Sequence, residues 1–149
     1  MITRPAIGKI LNAIARDLEA EVLPAIEDPK VKVTVQMMAQ LLEAMSRRDE
    51  REVDIIVQES TEVMALAKKV SREHQSAANL TLAIQNCSAS THLDRNYYEA
   101  LSEVLSCLAE VIVSEGSAAE REALQLLFSQ RIANEVSIIG EDFKPIGRA

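Results

Sequence analysis

Apolar residues near the start of the chain fall at Ile7, Ile10, Leu11, Ile14 and Leu18. Steps of three and four place them on one stripe of an α-helix. Thr3 stands where an N-cap is expected, and Pro5 is tolerated in a first turn. Pro24 disfavours helical geometry at Leu23, so this helix is predicted over 4–23, ending or kinking about there. Asp28-Pro29 reads as an N-cap followed by proline at the first helical position. "VKVTVQMM" alternates like a strand at Val31, Val33 and Val35, but a longer window decides otherwise. Val31, Val35, Met38, Leu42 and Met45 are spaced by four, three, four and three, and Met37 and Leu41 widen the stripe. The spacing predicts a second helix over 29–47.

Ser46 and Asp49 offer caps for a third helix, which carries Val53, Ile56, Val57, Val63, Met64, Ala67 and Val70. Run on to Ala89, it would be about 40 residues and near 60 Å long at 1.5 Å per residue. Its neighbours are about half that, so a break is expected around Ser71–Ser76 and the helix is assigned to 50–71. A fourth helix is predicted over 76–89. Thr91 with Asp94 three residues later fits a capping box opening a fifth over 94–115, and Gly116 is a good stop. Ser117 with Glu120 is a second capping box, opening a sixth helix over 118–136, with 137–149 as a frayed tail. There is no internal repeat and no linker. The expected fold class is all-α: a single-domain bundle of five to six helices joined by short loops.

Composition agrees with that picture. A chain of 149 residues is the size of one ordinary domain. Aromatic residues make up only 3% of it against 48% hydrophobic, so the core must be aliphatic. The net charge of −7 disfavours a nucleic-acid binder, which needs a basic face, and the aromatic platforms used for single strands are missing. Arg4, Lys9, Arg16, Asp17 and Glu19 interrupt any leader-like apolar run. An acidic, cytoplasmic protein that does not enter membranes is expected. Cys87 and Cys107 have no CxxC spacing and are expected to be buried, reduced thiols.

Catalytic signatures are absent. The residues three before the histidines are Ser71 and Ala89, so no Glu-x-x-His metal pair exists, and no zinc spacing occurs. Gly8-Lys9 is not part of a P-loop. Carboxylate pairs such as Glu59 with Glu62 and Glu99 with Glu103 read as solvated helix faces. No catalytic residue, cofactor or metal is assigned.

One stretch breaks the general pattern. His74–Leu93 runs twenty residues without Asp, Glu, Lys or Arg in a chain that is 26% charged. Leu80, Ala83, Ile84 and Cys87 form one apolar face of the helix it predicts, and Ala78, Leu82 and Ala89 a second. Between them runs a stripe of Ser76, Asn79, Ala83, Asn86 and Ser90, with His74 and His92 at the two ends. Three readings fit: a central helix packed on several neighbours, a homodimer seam, or the wall of a small-molecule pocket. All three expect the segment to be largely removed from water. The histidines read first as capping or solvent-facing groups, with a ligand or proton-transfer role and then a metal role as the alternatives.

"AIARDLEAEVLPAI" at 13–26, followed by the Met- and Leu-rich helix at Val31–Met45, resembles the start of an uncharacterised bacterial helical family. Members of that family are encoded beside, or fused to, aminoglycoside-phosphotransferase-like kinases and acyl-CoA dehydrogenases. Arg131-Ile132-Ala133-Asn134-Glu135 looks like that family's closing helix. There the family has Asn followed by Pro and an aromatic, whereas here Asn134 is followed by Glu135-Val136-Ser137. The resemblance implies an all-helical accessory role next to an acyl-group or phosphotransfer enzyme, and it carries over no catalytic residue. The expected function is a non-enzymatic accessory or interaction protein, acting through a protein partner or as a homodimer. The alternatives are a bundle that binds an acyl-like ligand and a small helical enzyme using a histidine base.

Overall fold

The computed structural model describes residues 5–89 and 95–140. Among them are five helices and no strand. Helix α1 is Ile7–Asp17; it continues through a π-helical turn at Leu18–Val22 into a last turn at Leu23–Ala25. Helix α2 is Pro29–Glu73, α3 is Ala78–Ser88, α4 is Arg95–Glu115 and α5 is Ala118–Ile139. The chain forms two compact units, one of Met1–Glu52 with Asn134–Ala149, the other of Val53–Ala133. Both divisions fall inside helices, α2 and α5, so no linker marks them in the sequence.

Several local signals act as read. Asp28 accepts a hydrogen bond from the Lys30 amide at 2.8 Å, capping α2 with Pro29 as its first residue. Ser117 and Glu120 close a reciprocal capping box. The Ser117 amide donates to Glu120 Oε2 at 2.7 Å, and the Glu120 amide donates back to Ser117 Oγ at 3.3 Å. The expected break around Ser71–Ser76 occurs at His74–Ala77. The proposed Thr3 cap and the Thr91–Asp94 box lie outside the described residues.

Three boundaries are corrected. Pro24 does not end the first helix. It cannot donate to the Ala20 carbonyl, and its ring would crowd that oxygen. The wider π turn over Leu18–Val22 relieves that crowding, and the helix runs on to Ala25. The separate helices expected over 29–47 and 50–71 are one helix of 45 residues. No Gly or Pro interrupts it after Pro29, and Asp49 accepts a hydrogen bond from the Gly8 amide instead of opening a helix. The last helix extends to Ile139 rather than ending at 136. There Arg47 donates from Nε to the Ile138 carbonyl at 2.8 Å and from Nη2 to the Ile139 carbonyl at 2.7 Å. A guanidinium thereby satisfies two of the orphan carbonyls at a helix C-terminus. Gly140, at φ 91, then turns the chain out of the helix.

The core of the Val53–Ala133 unit is aliphatic, as the composition requires. Val63, Ala67 and Val70 of α2 join Leu80, Ala83 and Cys87 of α3, then Leu101, Val104, Leu105, Leu108 and Ile112 of α4 and Leu124 of α5. Gly116 sits at the sharp turn between α4 and α5. A Cβ there would lie 2.5 Å from the Ile112 carbonyl oxygen, so only glycine allows the chain to fold back so tightly. Gly116→Ala is expected to lower stability by roughly 1–3 kcal/mol. Denaturant unfolding checks this: the midpoint should fall with little change in slope.

Candidate interaction surface

In the first unit α1 doubles back on α2 after the short turn at 26–28, and the two meet through small residues. The Gly8 amide donates to Asp49 Oδ2 at 2.8 Å, which caps α1 from another helix. A Cβ on Gly8 would lie 3.1 Å from the Ser46 carbonyl oxygen. Seven residues further along α1, Ala15 is fully buried; seven residues back along α2 from Ser46, Ala39 is too. The seam is therefore antiparallel, with Gly8 and Ala15 set against Ser46 and Ala39 at heptad spacing.

Large apolar side chains flank that seam in the same arrangement on both helices. Around Gly8 they stand at positions −1, +2, +3 and +6: Ile7, Ile10, Leu11 and Ile14. Around Ala39 the same offsets hold Met38, Leu41, Leu42 and Met45. At about 100° per residue, both rows are rotated from the seam in the same sense, by roughly 50 to 150°. In an antiparallel pair, equal rotation in the same sense brings both rows to one face of the hairpin. No charged residue interrupts either row. The face is largely uncovered: Ile7 is 67% exposed, Met38 51% and Leu41 55%, with Ile10, Ile14 and Met45 at 44–47%. Leu11 and Leu42, closest to the seam, are half-buried. Each helix thus touches the other with the edge of its apolar stripe and leaves the centre open. This exposed apolar face is the candidate interaction surface.

The residues singled out in the sequence are placed differently. Ala83 is buried in the core of the second unit. Ser76, Asn79 and Asn86 are exposed, and Leu82 is 57% exposed. Within the single chain that side of the segment faces water, so it is not packed into a core there. The stretch lacks charges, but amides and hydroxyls solvate an outer face without them. Ser90 and His92 lie outside the described residues. An open concavity of about 450 Å3 lies instead along α1, between Ala13, Arg16, Asp17, Glu19 and Ala20. Among the described residues no group of three or more metal-ligating side chains assembles, and no helix is long and apolar enough to cross a membrane.

His74 joins a polar cluster in the second unit. Its Nε2 lies 3.1 Å from Glu120 Oε1 and its Nδ1 3.6 Å from Glu115 Oε2. Ser117 Oγ donates to Glu120 Oε2 at 2.8 Å. The order is serine, carboxylate, imidazole. The hydroxyl proton goes to the carboxylate and not to the histidine, so the serine is not activated as a nucleophile. The bonds from the Ser117 amide and hydroxyl, then from His74, hold the Glu120 carboxyl down to about 2. A carboxylate only accepts, so Nε2 of His74 carries a hydrogen. This cluster pins the end of α2 to the α4–α5 turn.

A second cluster overturns the solvated reading of Glu59, which is only 5% exposed. Arg131 Nε stands 3.9 Å from its carboxylate, Nη2 donates to Ser102 Oγ at 2.6 Å, and the guanidinium lies 4.5 Å from the Tyr98 ring centroid. It ties α2, α4 and α5 of the second unit together. Glu62, its supposed pair, is exposed and bonded to Gln58. The thiols are free: Cys87 is buried and Cys107 half-buried. Burial raises both thiol pKa values, and at Cys107 the neighbouring Glu103 and Glu110 add to it, so neither is a ready thiolate.

Comparison with family models, with curated proteins and with solved structures finds no match for this chain. The acid behaviour of Glu120 is a direct check on the cluster. A carboxyl held below its unfolded value stabilises the fold above about pH 4.5, and that contribution is lost as the pH falls towards about 2. Thermal unfolding of the native chain should show this acid limb. Glu120→Gln should lower the melting midpoint at neutral pH and flatten the limb; an unchanged profile would contradict the pairing.

Proposed function

We propose that this chain is a non-enzymatic helical protein that works by binding another polypeptide through the apolar face of the α1–α2 hairpin. The carrying observation is the pair of matched apolar rows, Ile7–Ile14 and Met38–Met45, left 44–67% exposed at their six outer positions. Each aliphatic side chain that remains half in water forgoes on the order of 1 kcal/mol. The polar clusters around His74 and Arg131 support the same reading, since their hydrogen bonds go to helix ends and to neighbouring helices. The exposure of Asn79 and Asn86 weighs against an enclosed acyl-ligand pocket lined by them. The resemblance of 13–26 to a helical family of accessory proteins points the same way.

Cysteine labelling in intact cells tests whether the face is covered. A permeable maleimide should modify Met38→Cys slowly there and Glu19→Cys, on a solvated turn, quickly, with the unsubstituted chain as the blank. Equal, fast labelling of both would show that nothing covers the face and would overturn the reading.

A further inference from the structure

We infer that the occupant of this face is the same face of a second copy, the two hairpins closing into a four-helix bundle. The inference rests on the interaction reading above and names its partner.

Four observations select a second copy. The hairpin has no large side chain at its centre: the seam residues Gly8, Ala15, Ala39 and Ser46 are all small. It is therefore a layer of two helices with half of a core. Two such layers placed face to face make the up-and-down bundle in which antiparallel helices are stable. The matched offsets on α1 and α2 give the hairpin an approximate two-fold axis perpendicular to that face. A face with this symmetry is complementary to a copy of itself, because each row meets an equivalent row under rotation.

Charge points the same way. Residues 1–52 hold eight basic and nine acidic residues, a net charge of −1 out of −7 for the chain. Self-association is opposed least in this segment, and the apolar rows carry no charge to repel their copies. The area also suits. Burial worth about 1.5–3 kcal/mol at 25 cal/mol per Å2 corresponds to roughly 60–120 Å2 per large apolar side chain. Half of that on the eight row residues and their neighbours comes to on the order of 400 Å2 per copy. A standard-size, non-obligate interface of about 800 Å2 per partner, a little over half apolar, needs roughly 450 Å2. The methionines Met38 and Met45 are unbranched and adapt to whatever shape the opposing row presents.

Sedimentation of the purified full-length chain over a concentration series tests this, with Met38→Glu and Ile14→Glu alongside. The expected result is a species of twice 16.4 kDa that dissociates on dilution, weakened at least about tenfold by either variant. Circular dichroism checks that the variants keep their helices. Hydrogen exchange on the unsubstituted chain supplies a measurement free of that concern. Amides of Ile10–Leu18 should gain protection as concentration rises, while those of Leu101–Leu108 should not. A 16.4 kDa species at every concentration overturns the inference. If Met38→Cys is still shielded in cells, the interaction reading survives that failure; if it labels freely, both fall. A dimer that persists unchanged in helical Met38→Glu and Ile14→Glu also overturns it, because the contact then lies elsewhere.

Discussion

The close approach of α1 to α2 through Gly8, Ala15, Ala39 and Ser46 governs what the first unit can do. Small residues on both sides let the backbones come near, and the Asp49 carboxylate fixes the register by capping α1 at Gly8. Packing through small residues has a consequence for the large ones. Ile7, Ile10, Ile14, Met38, Leu41 and Met45 are displaced to one side, where neither helix reaches them. A larger residue at Gly8 would push the helices apart. The apolar face is a product of the tight seam and not an independent feature.

The other unit solves the same problem differently. Its helices meet through large aliphatic side chains such as Leu80, Leu101, Leu108 and Ile112, all fully buried. Its polar groups are tied inward, Glu59 to Arg131 and Glu120 to His74 and Ser117. Unpaired burial of either carboxylate would be costly, so these clusters specify which helix ends meet. The core of that unit is filled and the polar groups described are paired within it. The α1–α2 layer instead leaves its two apolar rows half in water.

Local signals in the sequence were reliable where the structure uses them locally. Asp28-Pro29 and Ser117–Glu120 are read from neighbours and act on neighbours. The stripes of α1 and α2 were also legible, as was the all-α class. Asp49 misled because it looks like a cap for a new helix, whereas it accepts from the Gly8 amide, 41 positions away. Glu59 gave no sign of Arg131, 72 positions later, so a helical acid read as solvated. The uncharged stretch from His74 is buried on the side of Ala77, Leu80, Ala83 and Cys87, while Asn79 and Asn86 face water within the single chain. The exposed apolar face was not singled out, although its pattern is present in the sequence. Gly8 and Ala39 carry apolar residues at identical offsets, which position along the chain alone displays.

The most direct test of the central claim is the thermal midpoint of the unsubstituted chain at two protein concentrations about a hundredfold apart. Mass action stabilises a folded dimer but not a folded monomer. The account predicts a midpoint that rises by several degrees with concentration. A midpoint independent of concentration would contradict it.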